Sequence, residues 1–207
     1  MGSATVTWHP FQLNPGMSVA GMARADYRLR KFGSVEQVQA LDARVTRVAA
    51  EVGLPFDLPA QQRTPNTLAA HRLIWWAGRL GRQDALVEAL FSAYFSAGLD
   101  VGDPAVLVRL AAGTGCDAGE AARFLASSEG VEEVLAEEGA VRRQGAGGVP
   151  LFIINGHERV SGAQSAAVFS VALLQASEAS AVSEVSAASG AASGSDPSGC
   201  VDGVCRA

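Results

Sequence analysis

Cysteine is scarce in this chain of 207 residues: Cys116, Cys200 and Cys205 are all there is. No two of them form a CxxC pair. Cys200 and Cys205 are close together, but two thiolates are too few for a closed zinc site. Lysine is nearly absent too. Lys31 is the only one among 16 basic residues, and with abundant alanine, glycine and valine this reads as a coding bias rather than a function. Net charge is −5 and no basic stripe stands out, which argues against nucleic acid as a partner. No apolar run reaches the roughly 18 residues of a membrane span. The opening residues MGSATVTW lack the charged and apolar regions of a secretory signal, so the expected location is cytoplasmic.

What is present suits a helical core. Hydrophobic residues make up 48% of the chain, enough to fold without staples. Thr5 to Phe11 alternates and carries β-branched and aromatic residues, so it reads as a strand, broken by Leu13-Asn14-Pro15-Gly16. From Arg24 to Val52 apolar residues recur at helical spacing: Tyr27, Leu29 and Phe32, then Val38, Leu41, Val45 and Val48. Gly33-Ser34 splits this stretch, with Ser34 as N-cap and Gln37 completing a capping box. Further helices are expected from Arg63-Thr64-Pro65-Asn66-Thr67 to Leu80 and from Asp84 to Ala97. Another runs from the Asp103-Pro104 cap to Ala112, and two more cover Asp117 to Leu125 and Glu129 to Gln144.

The segment GVPLFIINGHERVSGAQ, Gly148 to Gln164, carries the most information. A Val-Pro step opens a short apolar strand, Asn155-Gly156 makes a turn, a second strand follows around Glu158 to Val160, and a helix runs from Ala163 to about Ala176. From Ser177 to Ala207 the sequence is Ser, Ala and Gly with scattered acids, too poor in large apolar groups to pack, and reads as a flexible tail.

Four blocks together resemble the DsbA-like thioredoxin-fold proteins, in particular the FrnE-like oxidoreductase branch, and also the related 2-hydroxychromene-2-carboxylate isomerases. They are WHPFQLNP, RTPNTLAAHRLIWWA, ALVEALFSAYFSAGLDVGDPAVL and GVPLFIINGHERVSGAQ, in family order, covering most of Trp8 to Ala176. The resemblance implies an α/β thioredoxin-like fold with a large all-helical insertion, a domain over 1–176 with the insertion at about 22–145, and a tail over 177–207. In the family a first, central strand and a CPWC-bearing helix precede the strand that matches Thr5 to Phe11. Neither has a counterpart here, and the expectation is a truncated sequence, such as a start placed too late in the gene, the alternative being a shortened protein with a rearranged sheet. Loss of a central strand leaves buried backbone groups unpaired, at about 1–3 kcal/mol each, so a stable central sheet is not expected.

The resemblance also assigns site residues. It makes Pro150 cis and turns the backbone of Val149 toward a substrate, with Val149 tuning redox potential. Otherwise Pro150 is an ordinary strand-start proline. Asn66 and His71 match a region that lines the substrate and glutathione pocket in the isomerases, or else they are a helix cap and a satisfied core histidine. Phe11, with its neighbours to Asn14, forms either a pocket wall or strand core and a turn. Cys116 reads as buried packing, and His9 and His157 as structural or exposed.

The tail thiols can be read without the family. Asp202-Gly203 is the preferred pair for a type I′ hairpin turn. Val201 and Val204 then flank it, and Cys200 faces Cys205 as a non-hydrogen-bonded pair with Cα atoms about 4.5 Å apart. That lies at the short end of disulfide geometry, and an unshielded bond there is easily reduced and remade. About 23 residues of flexible tail reach roughly 25 Å and hold the dithiol near a site at about millimolar effective concentration.

Three functions follow. The first is a thiol–disulfide oxidoreductase or disulfide isomerase, with Cys200 and Cys205 as a resolving or relay pair. Its partners are disulfide-containing proteins or peptides and a thiol reductant, not nucleic acid or membrane. The second is a glutathione-dependent isomerase of the chromene-carboxylate type, and the third a non-catalytic peptide-binding remnant. No bound cofactor is expected; glutathione is the candidate co-substrate.

Overall fold

The computed structural model describes residues 4–190, with side-chain environments to residue 179. Contacts divide the chain into two compact units, 1–147 and 148–207.

The first unit is almost wholly helical. After an irregular start, β1 (Met22–Ala23) pairs antiparallel with β2 (Arg63–Thr64), and between them lie α1 (Arg24–Phe32) and α2 (Val35–Glu51). The break between α1 and α2 falls at Gly33, whose φ of 89° places it in the left-handed region. Ser34 Oγ accepts from the Gln37 N–H, so the N-cap forms. The return bond from the Gln37 side chain to the Ser34 N–H, the other half of a capping box, is not made among the described residues.

Then follow α3 (Leu68–Arg79), α4 (Gln83–Phe91), α5 (Pro104–Gly113), α6 (Ala118–Ala126) and α7 (Val131–Arg143). Asp103 caps α5 with Pro104 at its first position, and Asp117 caps α6 by accepting from the Glu120 N–H. The α4 helix widens into a π-turn over Ser92–Ser96 before it ends.

Helix α3 is the hub, packed against α4, α5, α6 and α7. Leu73, Leu86, Leu107 and Val134 are fully buried around it. Trp76 stacks on Phe124 with ring centroids 5.5 Å apart, which joins α3 to α6. Arg72 is buried as well, and its guanidinium caps three carbonyls at the α6–α7 junction: Glu129 at 2.8 Å, Ser127 at 2.8 Å and Phe124 at 3.1 Å. A buried cation is tolerated here because its donors are met.

The second unit is the hairpin of β3 (Leu151–Ile154) and β4 (Glu158–Ser161) with α8 (Ala166–Gly190) on one face. Asn155 and Gly156 both have positive φ, 49° and 81°, which a type I′ turn requires and which Asn-Gly supplies. Phe152 meets Phe169 of α8 edge to face at 4.7 Å.

Two expectations are corrected. Thr5 to Phe11 is not a strand. No neighbouring strand stands beside it among the described residues, and side chains take its backbone groups instead: Gln83 receives the Trp8 N–H at 2.9 Å and returns an amide to the Trp8 carbonyl at 3.1 Å. Alternation alone does not make a strand when the ladder has no second side. The last helix also does not stop near Ala176. It runs to Gly190, because the Ala-, Ser- and Glu-rich sequence beyond holds no glycine or proline until that point, and alanine needs no packing to favour a helix.

Candidate functional site

The N-terminal segment lies along α7 and α3 through a polar clamp. Glu138, on α7, is only 4% exposed. Its Oε1 accepts from the Gln12 backbone N–H at 3.0 Å and its Oε2 from the Gln12 side-chain amide at 2.9 Å. Arg142, one turn on, donates to Glu138 Oε1 from Nε at 3.0 Å and from Nη2 at 2.7 Å. The same Nη2 donates to the Gln12 carbonyl at 2.6 Å, and the guanidinium sits 4.0 Å above the Phe11 ring. Burial works to raise the Glu138 pKa. The bonds from the Gln12 side chain, from Arg142 and from the Gln12 backbone outweigh it and hold the carboxyl below the ordinary value. The carboxylate is therefore charged at neutral pH.

His71, on α3, faces the same segment. Burial pushes its pKa below the usual histidine value, and the nearby Glu138 carboxylate and a hydrogen bond to the Phe11 backbone offset part of this. A lowered pKa leaves the imidazole neutral at pH 7. Asn66 does a different job. Its Nδ2 donates to the Met17 carbonyl at 2.7 Å and its Oδ1 accepts from the Leu68 N–H at 2.9 Å, so both ends of the amide are used at the start of α3. Phe11 and His71 are thus brought together, while Asn66 ties the loop at Met17.

Val149 and Pro150 belong to the second unit, at the entry to β3. Their peptide bond is cis, both residues are exposed, and the Pro150 carbonyl accepts from the Gly162 N–H at 2.8 Å. Cys200 and Cys205 lie outside the described residues. Cys116 is 8% exposed within the helical core, with Thr114 Oγ 3.9 Å from its sulfur. Exposed His9 pairs with Glu137, and His157 is exposed. Among the described residues no group of three or more His, Cys, Asp and Glu side chains is placed to hold a metal, and no helix is long and apolar enough to cross a membrane.

The clamp of Gln12, Glu138 and Arg142 went unrecognised as a site in the sequence. The one local signal was the Glu138–Arg142 spacing of four on a helix, which marks an i,i+4 pair. The partner that gives it meaning, Gln12, is 126 residues away.

Comparison with known proteins adds three findings. The family model of the DSBA-like thioredoxin domain matches residues 2–174. A candidate DsbA oxidoreductase of Streptomyces coelicolor is similar in structure at 36% identity, with a TM-score of 0.74 over 80% of this chain and 72% of the other. A candidate protein disulfide isomerase of Nitrosomonas europaea shares the fold at 20% identity, with a TM-score of 0.58 over 70% of this chain and 74% of the other. No curated protein matches. The helical body, the hairpin entered through Pro150 and the closing helix are thus those of a known architecture, and the chain belongs to the DSBA-like thioredoxin domain family.

Proposed function

We propose that the protein is a thiol–disulfide oxidoreductase acting on disulfide-containing proteins or peptides, with Cys200 and Cys205 as its working dithiol. The observation that carries this reading is the burial of Cys116. Packed in the core at 8% exposure, that thiol cannot meet a substrate disulfide. Of the three thiols in the sequence, the tail pair remains. Family membership supplies the reaction class. Val149 and Pro150, exposed at the head of β3, are assigned to the substrate backbone, whereas the polar groups of Asn66 are already engaged within the fold.

The chemistry is thiol–disulfide exchange. A thiolate of the pair attacks one sulfur of the substrate disulfide, forming a mixed disulfide and releasing the other substrate sulfur as a thiolate. The second cysteine then attacks the mixed disulfide. The substrate leaves fully reduced, and a Cys200–Cys205 disulfide holds the two electrons' worth of oxidation. A thiol reductant, with glutathione as the candidate, returns the pair to the dithiol. If a substrate thiol resolves the mixed disulfide instead, the net result is isomerisation.

The test is turnover of a peptide disulfide with glutathione as reductant. The full chain should outpace a free peptide of sequence GCVDGVCRA. The double Cys200→Ser/Cys205→Ser variant should fall to background, and one single variant should accumulate a mixed disulfide visible by mass. Cys116→Ser should keep its rate. Full activity in the double variant would sink the proposal, as would a wild-type rate no better than the free peptide.

A further inference from the structure

Helix α2 carries an apolar seam that its own fold leaves uncovered. Val38, Leu41, Val45, Val48 and Val52 recur at steps of three and four, the a and d positions of a heptad. The last four are between 36% and 69% exposed. The side of α2 that meets α1 is a different one, marked by Asp42, which is bound by Arg24 at 2.9 Å and by Arg28. Beside the seam an open groove of about 440 Å³ runs between α2 and the returning chain at Leu54 and Phe56. A row of this kind facing water marks an interaction surface.

We infer that this seam is a homodimer interface, in which α2 of one copy packs antiparallel against α2 of a second copy across a two-fold axis. The register of the sequence carries the inference. In an antiparallel pair an a residue meets a d residue. Val45 opposite Val48 of the second copy, and Leu41 opposite Val52, are both centred on the same point, between Thr46 and Arg47. A single two-fold axis therefore satisfies both of these layers, each of them twice, while Val38 lies beyond the end of the second copy's helix. The charges agree with it. Arg44 and Glu51 lie on one flank of the seam, and the same axis brings Arg44 of each copy to within two residues of Glu51 of the other. Neither has an ion-pair partner among the described residues, so both are available. In a parallel in-register arrangement the flanking contact five residues on from Arg44 is Ala49, which gains no such pair. Such an interface is isologous and closes at two copies, which limits it to a dimer rather than a filament.

The helix has 17 residues and is about 25 Å long, so the contact sits at the small end of stable interfaces and the dimer should dissociate on dilution in the micromolar range. This inference is independent of the redox chemistry of the tail.

The test is sedimentation velocity of the full chain across a concentration series, with reductant present so that tail thiols do not link copies. A reversible monomer–dimer equilibrium is expected. Arg44→Glu alone should weaken the dimer about tenfold, and adding Glu51→Arg should restore it, because the swapped charges pair again. Val45→Glu places a charge on a residue already at the surface and should abolish the dimer while circular dichroism and melting stay unchanged. A monomer at every concentration overturns the inference, as does a dimer indifferent to Val45→Glu. Should Val45→Glu disturb folding, the charge swap decides alone: failure of the double variant to recover overturns the antiparallel register.

Discussion

Replacing Glu138 with alanine should detach the N-terminal segment, and the cost can be worked from its partners. The carboxylate receives two bonds from Gln12 and two from Arg142. The Gln12 side chain and backbone are buried, so they lose partners that water cannot readily replace. Each buried group left unpaired costs about 1–3 kcal/mol. Arg142 is partly exposed and can rehydrate, so its share is discounted to at most about 1 kcal/mol. The sum is about 2–7 kcal/mol, reduced to the extent that the segment lifts off and solvates its own groups. Denaturant unfolding measures it, and hydrogen exchange at the Gln12 amide locates it. Arg142→Ala strands the Gln12 carbonyl and removes the charge partner of the buried carboxylate, at about 1–3 kcal/mol, but should leave the Gln12 amide protected, because that amide bonds to Glu138. The order of the two variants is the diagnostic. Equal effects, or a Glu138→Ala loss under about 0.5 kcal/mol, would refute the assignment of the carboxylate as the centre of the clamp.

The same carboxylate sets a pH dependence. Its folded pKa lies below the ordinary carboxylate value of 4.5. A group with a lowered folded pKa binds fewer protons folded than unfolded between the two values, so stability falls as pH falls there. The contribution is present in full above the unfolded value and disappears as pH drops through the folded one. Gln12 exchange protection should accordingly hold at neutral pH and weaken below about pH 4.5, and Glu138→Gln should flatten that dependence.

Other expectations are sharper in contrast than in absolute size. At Gly98, with φ of 64°, an added Cβ would stand 2.5 Å from the Ala60 carbonyl carbon and 2.6 Å from its oxygen, while at Gly53, with φ of 77°, it would meet nothing within 4 Å. Gly53→Ala should therefore cost only the left-handed conformation, about 1–2 kcal/mol, and Gly98→Ala about 1–3 kcal/mol more, read from denaturant midpoints. Arg72→Met keeps the stem but strands three carbonyls, at about 3–5 kcal/mol, and Arg72→Lys should not rescue it because one ammonium cannot reproduce the fork. In native thiol labelling two of the three cysteines should react quickly, with Cys116 reacting only on unfolding; three fast thiols would contradict its place in the core.

The helices were legible where a cap fixed an end. Ser34, Asp103-Pro104 and Asp117 mark starts that recur in the structure within a residue or two, because a cap is a local bond between neighbours in sequence. The hairpin was legible for the same reason: Asn155-Gly156 supplies two positive φ angles at no cost to the rest of the chain. What failed was whatever depended on a distant partner. The alternation of Thr5 to Phe11 is real, but a strand is a property of two chains, and the groups that meet this one are the side chains of Gln83, Asp84 and Glu137, with Arg142 over the Phe11 ring. Ala176 looked like the end of α8 because the sequence beyond it cannot pack, yet a helix of alanine and serine can persist without packing.

The seam on α2 turns that contrast into an argument about function. Its period was plain in the sequence, and a period of apolar residues ordinarily signals a face turned to the core. Here α3 is the hub of the core, and among the described elements α2 packs chiefly on α1, where Asp42 is held by Arg24 and Arg28. Apolar spacing therefore established the helix but not its partner. The same logic separates the thiols. Cys116 sits at a helical-core position and is consumed by packing, whereas Cys200 and Cys205 stand in sequence that offers nothing to bury them. The α2 seam is accordingly proposed to meet a second copy, and the tail dithiol a substrate disulfide.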